Sequence, residues 1–374
     1  MKFVEEIGDL NGKVVLLRVD LNVEMAEDAL RLDRSLKTID FLLDKGGRVI
    51  LMSHRGRPEK NLGEDGYTEV EDALSLRFAL DFFYRNLNLK IEFLPDFDFE
   101  AHKTFIEKSD SKVFMLENVR LHSGEDGEDE EFGKQLASLG DVYVNDAFAS
   151  WHKGTSVTVL PRLLPAFAGL LMAEELKHLS HALDDARGPL LVILAGGKAQ
   201  DKFSVVENFY NRADKFLIAG VLANTLLKVA GEEIGLSIVD DEILGRVAEY
   251  ASSEKIQLPI DFVRDEAGRI MDMGKKSEKL FAELISTASS VIWNGPTGVF
   301  EVDKYRAGSE AVARAIAENK GFSIVGGGET TNLILQMGLE DSFTWLSTGG
   351  GAMLAFLAGK KLPSLEALGY YQDK

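Results

Sequence analysis

Short apolar runs alternate along this chain with segments whose apolar residues recur every three or four positions. The short runs are rich in β-branched residues, which favours strands. Helical spacing is clear in Leu32–Lys45, where Leu32, Leu36, Ile39 and Leu43 would lie on one helix face. Such alternation predicts βαβ units, and therefore an α/β protein with mainly parallel sheets covered on both faces.

The predicted strands fall into two groups. In the first half they are Val14–Val23, Val49–Met52, Ile91–Leu94, Val113–Leu116 and Val142–Val144. In the second half they are Leu190–Leu194, Phe216–Ala219, Leu258–Val263, Val291–Trp293, Ser323–Val325 and Phe343–Leu346. Each group contains enough strands for a sheet of its own.

One segment, Pro165–Ala186, separates the two groups. It carries a helical stripe that includes Leu171, Leu176 and Leu179, and Arg187-Gly188-Pro189 ends it. We therefore predict an N-terminal domain over 1–164, an interdomain helix over 165–187 and a C-terminal domain over 188–362. The tail, 363–374, contains a short predicted helix and could pack back onto the N-terminal domain.

Composition narrows the class of protein. A length of 374 residues fits two domains, and the absence of cysteine excludes disulfides, thiolate nucleophiles and cysteine metal sites. The net charge of −19 argues against nucleic acid or an anionic membrane as partner. No apolar run reaches the ~20 residues that span a bilayer, and the N-terminus does not resemble a secretory signal. These features favour the cytoplasm.

An acidic segment stands at residues 125–131, with six acids in seven positions. It precedes an apolar-periodic run, and acids are favourable at a helix N-terminus. We interpret the segment as a solvated face at the start of a helix.

Basic residues recur where the predicted strands of the first half end. They are Arg18, Arg31, His54, Arg55, Arg57, Arg120, His152 and Lys153. In a parallel sheet these ends share one edge, so the side chains are expected to converge. Arginine forks bind phosphate or carboxylate oxygens, while Asp20 and Asn22 could bind a substrate hydroxyl. Each residue alone is more simply a surface ion-pair partner, but together they predict an anion site.

Glycine-rich turns follow strands in the second half. They are Gly196-Gly197-Lys198, Trp293-Asn294-Gly295-Pro296, Gly326-Gly327-Gly328 and Thr348-Gly349-Gly350-Gly351. Exposed backbone N–H groups at a helix N-terminus bind oxyanions. Lys198 and Lys202 would lie on one helix face, Glu329 suits a Mg²⁺ ion that bridges phosphates, and Glu301 could accept from a sugar hydroxyl. The turns predict a nucleotide-type site, although neither the Walker A loop nor a dinucleotide fingerprint is present.

With these segments assembled, the chain resembles phosphoglycerate kinase from end to end and in motif order. The matching stretches are Leu17–Val23, Ser53–Pro58, Leu116–Arg120, Asn145–Phe148, Gly196–Lys202, Trp293–Pro296, Gly326–Gly328 and Ser347–Gly351. The resemblance implies two Rossmann-like, doubly wound parallel-sheet domains joined by a long helix and hinge. The first would bind 3-phosphoglycerate, the second ADP or ATP, and the tail would return to the first.

The implied reaction is reversible phosphoryl transfer from 1,3-bisphosphoglycerate to MgADP, giving 3-phosphoglycerate and MgATP. Direct in-line transfer needs positioning and charge stabilisation, and no covalent enzyme intermediate. Because the acceptor carboxylate is already ionised, no general base is needed. We therefore expect Mg²⁺ as cofactor, hinge closure as the conformational step, a cytoplasmic monomer, and no nucleic-acid or membrane partner.

The resemblance also implies residue roles. Substrate would be bound by Arg18, Asp20, Asn22, Arg31, His54, Arg57, Arg120, His152 and Lys153. Nucleotide would be bound by Gly196, Gly197, Lys198, Lys202, Gly220, Asn294, Pro296, Glu301, Gly328, Glu329 and Thr330, with Glu329 at the metal. Arg31, Lys198, Gly350 and Gly351 would stabilise the migrating phosphoryl group.

Four departures from the family pattern stand out. Lys153 replaces an arginine, the segment after it lacks a second histidine, Val221 replaces a glycine beside the base, and Glu329 replaces an aspartate. They motivate an alternative, a non-catalytic nucleotide- or anion-binding protein on the same fold. Retention of cations in both halves speaks against it. A second alternative, an oxidoreductase on Rossmann-like domains, lacks the dinucleotide fingerprint.

Overall fold

The computed structural model describes residues 1–23, 30–58 and 73–372. The chain divides into two compact units: unit 1 is Met1–Leu176 with Lys361–Lys374, and unit 2 is Lys177–Lys360. The domain boundaries predicted at residues 164, 187 and 362 stay a prediction. Within the described ranges, no helix is both long and apolar enough to cross a membrane.

Unit 1 is built on a parallel sheet. Its strands are β1 (Val14–Arg18), β2 (Arg48–Met52), β3 (Ile91–Leu94), β4 (Val113–Leu116), β5 (Val142–Asn145) and β6 (Ala166–Ala168). Its helices are α1 (Leu30–Asp44), α2 (Leu80–Leu87), α3 (Phe99–Lys108), α4 (Glu130–Ala137), α5 (Leu160–Leu163) and α6 (Leu170–Asp184), whose last residues belong to unit 2. Over the described residues the strand order is β3-β4-β2-β1-β5-β6.

The central strands of unit 1 are buried along their whole length. Val15, Leu16 and Leu17 of β1 are fully buried, as are the apolar residues of β4. A strand covered on both faces needs a continuous apolar run, which explains why these runs do not alternate with polar residues. The helix predicted at Leu32–Lys45 is α1, and its buried face includes Leu32, Ile39 and Leu42.

Two predictions in unit 1 were wrong in extent. The strand predicted at Val14–Val23 ends at Arg18, because the Asp20 carboxylate accepts from the Asn22 backbone N–H at 2.9 Å and turns the chain out of the sheet. The helix predicted at Pro165–Ala186 begins only at Leu170. Residues 166–168 instead form β6, which pairs with β5.

The acidic segment at 125–131 is only partly the solvated face that we predicted. Asp129 caps α4 by accepting from the backbone N–H groups of Glu131 and Phe132, at 2.8 and 2.9 Å. Glu125, in contrast, is buried. Solvent does not compensate its carboxylate, so other residues must.

Unit 2 repeats the parallel-sheet plan. Its strands are β7 (Leu190–Leu194), β8 (Lys215–Ile218), β9 (Ile256–Gln257), β10 (Phe262–Arg264), β11 (Ile270–Met273), β12 (Ser290–Asn294), β13 (Phe322–Gly326) and β14 (Trp345–Ser347). Its helices are α7 (Ala199–Phe209), α8 (Gly220–Val229), α9 (Leu244–Ala248), α10 (Lys275–Ser286), α11 (Ala307–Glu318), α12 (Gly328–Gln336) and α13 (Gly350–Leu357). Over the described residues the parallel order is β14-β13-β12-β7-β8-β9, and β10 pairs with β11 in a separate antiparallel ribbon.

The strand predicted at Leu258–Val263 was wrong. Pro259 interrupts the run and cannot donate a ladder hydrogen bond. The edge strand β9 therefore ends at Gln257, and the chain resumes as β10 in the antiparallel ribbon. A tight turn closes that ribbon, with Gly268 N–H donating to the Asp265 carbonyl at 3.1 Å. The α/β class and the parallel sheets are confirmed.

The C-terminal tail packs within unit 1. Its helix, α14 (Pro363–Ala367), follows Leu362, and both Leu362 and Leu365 are fully buried. The Ser364 backbone N–H donates to the Trp151 carbonyl at 3.3 Å. Helix α14 therefore helps to complete the core of unit 1.

We predict that Leu365→Ala lowers the free energy of unfolding of unit 1 by about 2–5 kcal/mol, because it removes a fully buried leucine and leaves a cavity. Urea unfolding followed by circular dichroism measures the change. Leu236→Ala is the matched control, since that side chain is 72% exposed, and it should shift the midpoint little. Equal midpoints for the two variants would contradict the packing of the tail.

Candidate functional site

A cleft of about 360 Å³ lies at the carboxyl ends of the unit 1 strands. We call it the anion cleft. It gathers basic side chains that the sequence places far apart, together with Asn22. The six basic residues that line it are Arg18, His54, Arg57, Arg120, His152 and Lys153. Six of the eight basic side chains predicted to converge therefore line one cleft, whereas Arg31 and Arg55 are not among the described residues that line it.

Arg18 is a buried residue of the anion cleft that hydrogen bonds hold in one position. It ends β1, is only 1% exposed, and uses each of its guanidinium nitrogens. Nε donates to Ser156 Oγ at 3.0 Å, Nη1 to the Val19 carbonyl at 2.6 Å, and Nη2 to His54 Nδ1 at 2.7 Å. A buried charge held in this way stabilises an anion without having to reorganise.

The contact with Arg18 determines the tautomer of His54. Arginine can only donate, so His54 Nδ1 must accept and the neutral ring carries its proton on Nε2. Burial, together with the positive charges of Arg18, Arg120 and Arg31, holds the pKa of His54 well below its usual range. His54 therefore stays neutral at physiological pH and offers one N–H donor.

Glu125 is a buried acid that lines the same cleft. Its Oε1 accepts from Ser156 Oγ at 2.6 Å, and its Oε2 accepts from the Ser156 backbone N–H at 2.9 Å. Ser156 thus bridges Glu125 to Arg18. Burial raises the pKa of Glu125, and the Arg18 charge opposes that effect. Sequence reasoning missed this residue because it stands in an acid-rich stretch.

Asp20 and Arg31 lie beside the anion cleft and pair with each other. Arg31 Nη1 is 3.2 Å from Asp20 Oδ2 and donates to the Asn22 carbonyl at 2.8 Å. Within the described ranges, neither Asp20 nor Arg31 lines the cleft. Asn22 does, and its Oδ1 accepts from the Gly56 N–H at 2.9 Å.

The rim of the anion cleft is exposed. Lys153 Nζ lies 2.9 Å from Glu128 Oε2, so part of its charge is already compensated. The His152 ring packs against Trp151 at an interplanar angle of 31°, with 3.9 Å between ring centroids. Partial burial lowers the pKa of His152, and the charges of Arg120 and Arg57 lower it further. Like charges gathered at one place in this way favour an anionic ligand.

A second cleft, of about 380 Å³, lies at the carboxyl ends of the unit 2 strands. We call it the glycine pocket. Of the residues predicted to bind nucleotide, those that line it are Gly196, Gly197, Gly220, Pro296, Glu301 and Glu329. Its apolar wall, which the sequence did not single out beyond Val221, is formed by Val221, Ile238, Phe262, Met271 and Val299.

Glycine is required where the loops of this pocket meet. A Cβ on Gly220 would lie 2.5 Å from the backbone nitrogen of Gly196, and one on Gly350 would lie 2.6 Å from the Cα of Gly327. Both distances are too short for any side chain. The loop after β7 therefore meets the loop after β8, and the loop after β13 meets the loop after β14, in each case backbone to backbone.

Two lysines mark the start of α7. Lys198 adopts the left-handed conformation with φ of 52°, which costs about 1–2 kcal/mol for a non-glycine residue. Over the described ranges its ammonium has no hydrogen-bond or ion-pair partner. Lys202 is buried and donates to the Gly197 carbonyl. Burial lowers the pKa of Lys202 to about 8, while the charges of Glu329 and Asp201 act in the opposite direction.

The side chains of Asn294 and Thr330 fasten loops. Asn294 Nδ2 donates to the Gly326 carbonyl at 2.8 Å, and Thr330 Oγ1 accepts from the Gly295 N–H at 3.0 Å. Both residues are buried. They connect the turn after β12 to the turn after β13.

The remaining predicted residues begin helices. Gly328 and Glu329 open α12, and Gly350 and Gly351 open α13. Glu329 is exposed at the glycine pocket. Among the described residues, no group of three or more His, Cys, Asp or Glu is arranged to hold a metal. A single carboxylate is consistent with Mg²⁺, which is commonly bound through one or two carboxylates together with substrate phosphates.

Sequence reasoning also missed Asp272, a buried acid of the glycine pocket. Asp272 lies in β11, lines the glycine pocket and is only 2% exposed. A single acid between Met271 and Met273 in an apolar strand was the available signal, because buried acids are rare unless they are hydrogen-bonded.

The comparisons with known proteins agree with this geometry. The family model described as phosphoglycerate kinase matches residues 4–360. The phosphoglycerate kinase of Dictyoglomus turgidum is 39% identical, over 98% of this chain and 97% of that protein. The phosphoglycerate kinase of Herpetosiphon aurantiacus is 37% identical, over 96% of each chain.

Solved structures give the same result. The phosphoglycerate kinase of Pyrococcus horikoshii has a TM-score of 0.87 at 30% identity, covering 100% of both chains. That of Coxiella burnetii has a TM-score of 0.80 at 31% identity, covering 98% of both.

The lowered pKa of Lys202 predicts a pH dependence of stability. In the unfolded chain this ammonium has its ordinary pKa, so keeping it charged costs the folded state about 3 kcal/mol below pH 8. The unfolded state binds more protons between about pH 8 and 10.5, so the cost falls as pH rises through that window.

The variant Lys202→Met lacks the charge at every pH. We therefore expect its stability advantage over wild type to shrink between pH 8 and pH 10, as measured by urea midpoints in the absence of ligands. Lys198→Met removes an exposed ammonium at the N-cap of the same helix, and its stability difference from wild type should not shrink over this pH range. If the stability difference between Lys202→Met and wild type did not change with pH, the buried-charge interpretation would be refuted.

Proposed function

This chain belongs to the phosphoglycerate kinase family, and on that premise we propose how its residues divide the work of the reaction. It is a phosphotransferase with a carboxyl group as acceptor, EC 2.7.2.3. The reaction is reversible phosphoryl transfer from 1,3-bisphosphoglycerate to ADP, giving 3-phosphoglycerate and ATP. The function predicted from sequence is confirmed, and the binding-only alternative is not favoured, because relatives of this name match almost the whole chain.

We assign 3-phosphoglycerate to the anion cleft. The observation that supports this assignment is the gathering of six basic side chains around a single cleft of a protein whose net charge is −19. Arg18 and the His54 Nε2–H are held in place before any ligand arrives. Arg57, Arg120, His152 and Lys153 would supply further donors for a phosphate or carboxylate.

Asp20 and Asn22 would receive the substrate hydroxyl. Asp20 is already paired with Arg31, so a ligand hydroxyl would share this carboxylate with the guanidinium. Lys153 has a single ammonium where the family usually has a guanidinium fork, and Glu128 compensates part of its charge. We therefore infer that Lys153 contributes less to phosphate binding than Arg18 does.

We assign ADP and ATP to the glycine pocket. The apolar wall of Val221, Ile238, Phe262, Met271 and Val299 would bury the base, and Glu301 would accept from a ribose hydroxyl. Phosphate groups would lie against the N–H groups of Gly196 and Gly197 at the start of α7, with Lys202 beside them. The other predicted members of this set, Gly220, Asn294, Pro296, Gly328 and Thr330, would shape the pocket through loop contacts.

The family uses nucleotide substrates with Mg²⁺. In this chain Glu329 would hold the metal, since it is the exposed carboxylate at the glycine pocket that opens α12. When bound with the nucleotide, the ion supplies positive charge to the phosphate oxygens. Lys202 lies close enough to Glu329 for their charges to interact, so it would share the same oxygens.

The migrating phosphoryl group needs cations and N–H donors, because the transition state is loose and its charge is spread over the equatorial oxygens. We assign Lys198, Arg31 and the N–H groups of Gly350 and Gly351 to this role. Lys198 is suitable because its ammonium has no partner over the described ranges. In-line transfer on hinge closure stays a prediction, and scattering should show compaction when both ligands are bound.

A product-trapping assay tests the activity directly. The purified protein is incubated with MgATP and 3-phosphoglycerate, with hydroxylamine present to trap the acyl phosphate. We expect ADP formation and trapped product that both depend on 3-phosphoglycerate. ADP binding without any product would instead favour the binding-only alternative.

Arg31→Ala tests the catalytic assignment. We expect turnover to fall by about 10²–10³-fold, as when one donor to a developing charge is removed, with the Kd for ADP nearly unchanged. Lys37→Ala, an exposed residue on the same helix, is the control and should keep wild-type turnover. Wild-type turnover in Arg31→Ala would contradict the proposed role of Arg31 in stabilising the migrating phosphoryl group.

The variant also breaks the contact of Arg31 with Asp20, so its urea midpoint has to be measured beside its kinetics. A loss of turnover with an unchanged midpoint supports a direct role. A loss that follows the unfolding of unit 1 argues against it.

A further inference from the structure

The Asp272 carboxylate joins three segments of unit 2. Oδ1 accepts from the Met273 backbone N–H at 2.8 Å and from Thr297 Oγ1 at 3.2 Å. Oδ2 accepts from the Gly308 backbone N–H at 2.8 Å. The carboxylate in β11 therefore holds both the turn that follows β12 and the first turn of α11.

The start of α11 depends on this contact. Its N-cap residue, Arg306, makes no side-chain cap hydrogen bond. Asp272 supplies the missing acceptor from another segment of the chain, and a carboxylate at this end of a helix is electrostatically favourable. Ser309 Oγ completes the junction by accepting from the Thr297 backbone N–H at 2.8 Å.

Two glycines allow the backbone to enclose the carboxylate. A Cβ on Gly298 would lie 2.5 Å from Asp272 Cγ, and a Cβ on Gly308 would collide with Asp272 Oδ1. A Cβ on Gly308 would also lie 2.7 Å from Thr297 Oγ1. The two segments can reach Asp272 only because both residues lack side chains, so the surrounding backbone is fitted to this one acid.

The turn held by Asp272 belongs to the glycine pocket. Pro296, Thr297, Gly298, Val299 and Glu301 line the pocket, as does Asp272 itself. The Val299 backbone N–H donates to the carbonyl of Met271, next to Asp272, at 3.0 Å. A shift of the carboxylate would therefore move the turn that carries the apolar Val299 and the acid Glu301.

Glu301 lies on the turn itself, and several charged groups of the neighbouring elements have partners of their own. They are Arg264 of β10 with the Gly268 carbonyl, Arg269 with Asp265, Glu278 of α10 with Lys275, and Arg306 with Asp303 and Glu310. Over the described ranges no cation pairs with Asp272. Burial raises its pKa to about 6, and the charge of Glu278 acts in the same direction.

We propose that Asp272 is a positioning residue for the nucleotide half of the reaction: its ionised carboxylate holds the turn Gly295–Glu301 in the conformation that binds the base and ribose. This inference rests on the proposed assignment of nucleotide to the glycine pocket. Asp272 acts through Thr297 and Gly308. It fixes the affinity for nucleotide and leaves the affinity for 3-phosphoglycerate untouched.

Asp272→Asn keeps the size of the side chain and removes its charge. We expect the Kd for ADP, measured by calorimetry, to rise about ten-fold, which corresponds to the loss of one charge-assisted hydrogen bond. The KM for ATP should rise to a similar degree, whereas the KM for 3-phosphoglycerate and kcat should change less than two-fold.

Asp261→Asn is the matched control. Asp261 also caps a helix in unit 2, with Oδ1 accepting from the Ser277 backbone N–H at 2.8 Å, but it does not line the glycine pocket. It should leave the Kd for ADP unchanged. An equal rise in both variants would overturn the proposal, because the effect would then belong to helix capping in general.

A pH series separates positioning from stability. As pH falls through about 6, Asp272 becomes protonated in wild type and resembles asparagine. The ratio of the variant Kd to the wild-type Kd should therefore approach one near pH 5, and the ionisation of ADP itself cancels from this ratio. A ratio that is independent of pH would overturn the proposal.

Thr297 provides a second variant if Asp272→Asn does not fold. Thr297→Val removes the hydroxyl bonded to Oδ1 and should weaken ADP binding about three-fold or more, while Thr297→Ser should restore wild-type binding. Wild-type binding in Thr297→Val would overturn the proposal. The readout is ADP binding, so a wild-type protein that binds ADP without turnover would refute the reaction and leave this inference standing.

Discussion

Both halves of this enzyme depend on the parallel pairing of buried strands. Parallel pairing brings the carboxyl ends of all strands in a sheet to one edge, and it fixes which loops meet there. In unit 1 that edge gathers Arg18, His54 and Arg120; in unit 2 it gathers the turns that start at Gly196, Gly295 and Gly327. Parallel pairing thus forms a charged cleft from side chains in unit 1 and a pocket of backbone N–H groups in unit 2.

A buried acid helps to organise each edge. Glu125 fixes Ser156, and Ser156 in turn fixes Arg18; Asp272 fixes the turn at Thr297 and the start of α11. Buried carboxylates are costly unless hydrogen bonds satisfy them, so each imposes a definite arrangement on its donors. The two acids therefore help to position some of the groups that would contact ligand, among them Arg18 and the turn at Thr297.

The sequence was sufficient for the fold class, the two groups of strands and the clustering of basic residues, because these follow from local periodicity and strand ends. It failed where the burial or role of a residue depends on a contact with a residue that is distant in the sequence. The burial of Glu125 depends on Ser156, and the role of Asp272 depends on Thr297 and Gly308, all more than twenty residues away. The strand predicted at Val14–Val23 was too long because the Asp20 side chain competes for the backbone.

The anion cleft has a kinetic consequence in so acidic a protein. A net charge of −19 repels anionic substrates at long range, whereas the basic side chains of the cleft attract them only at short range. Since the Debye length is about 10 Å at 0.1 M salt, ions screen the distant repulsion before they weaken contacts inside the cleft. Moderate ionic strength therefore weakens the long-range repulsion of substrate more than it weakens the contacts inside the cleft.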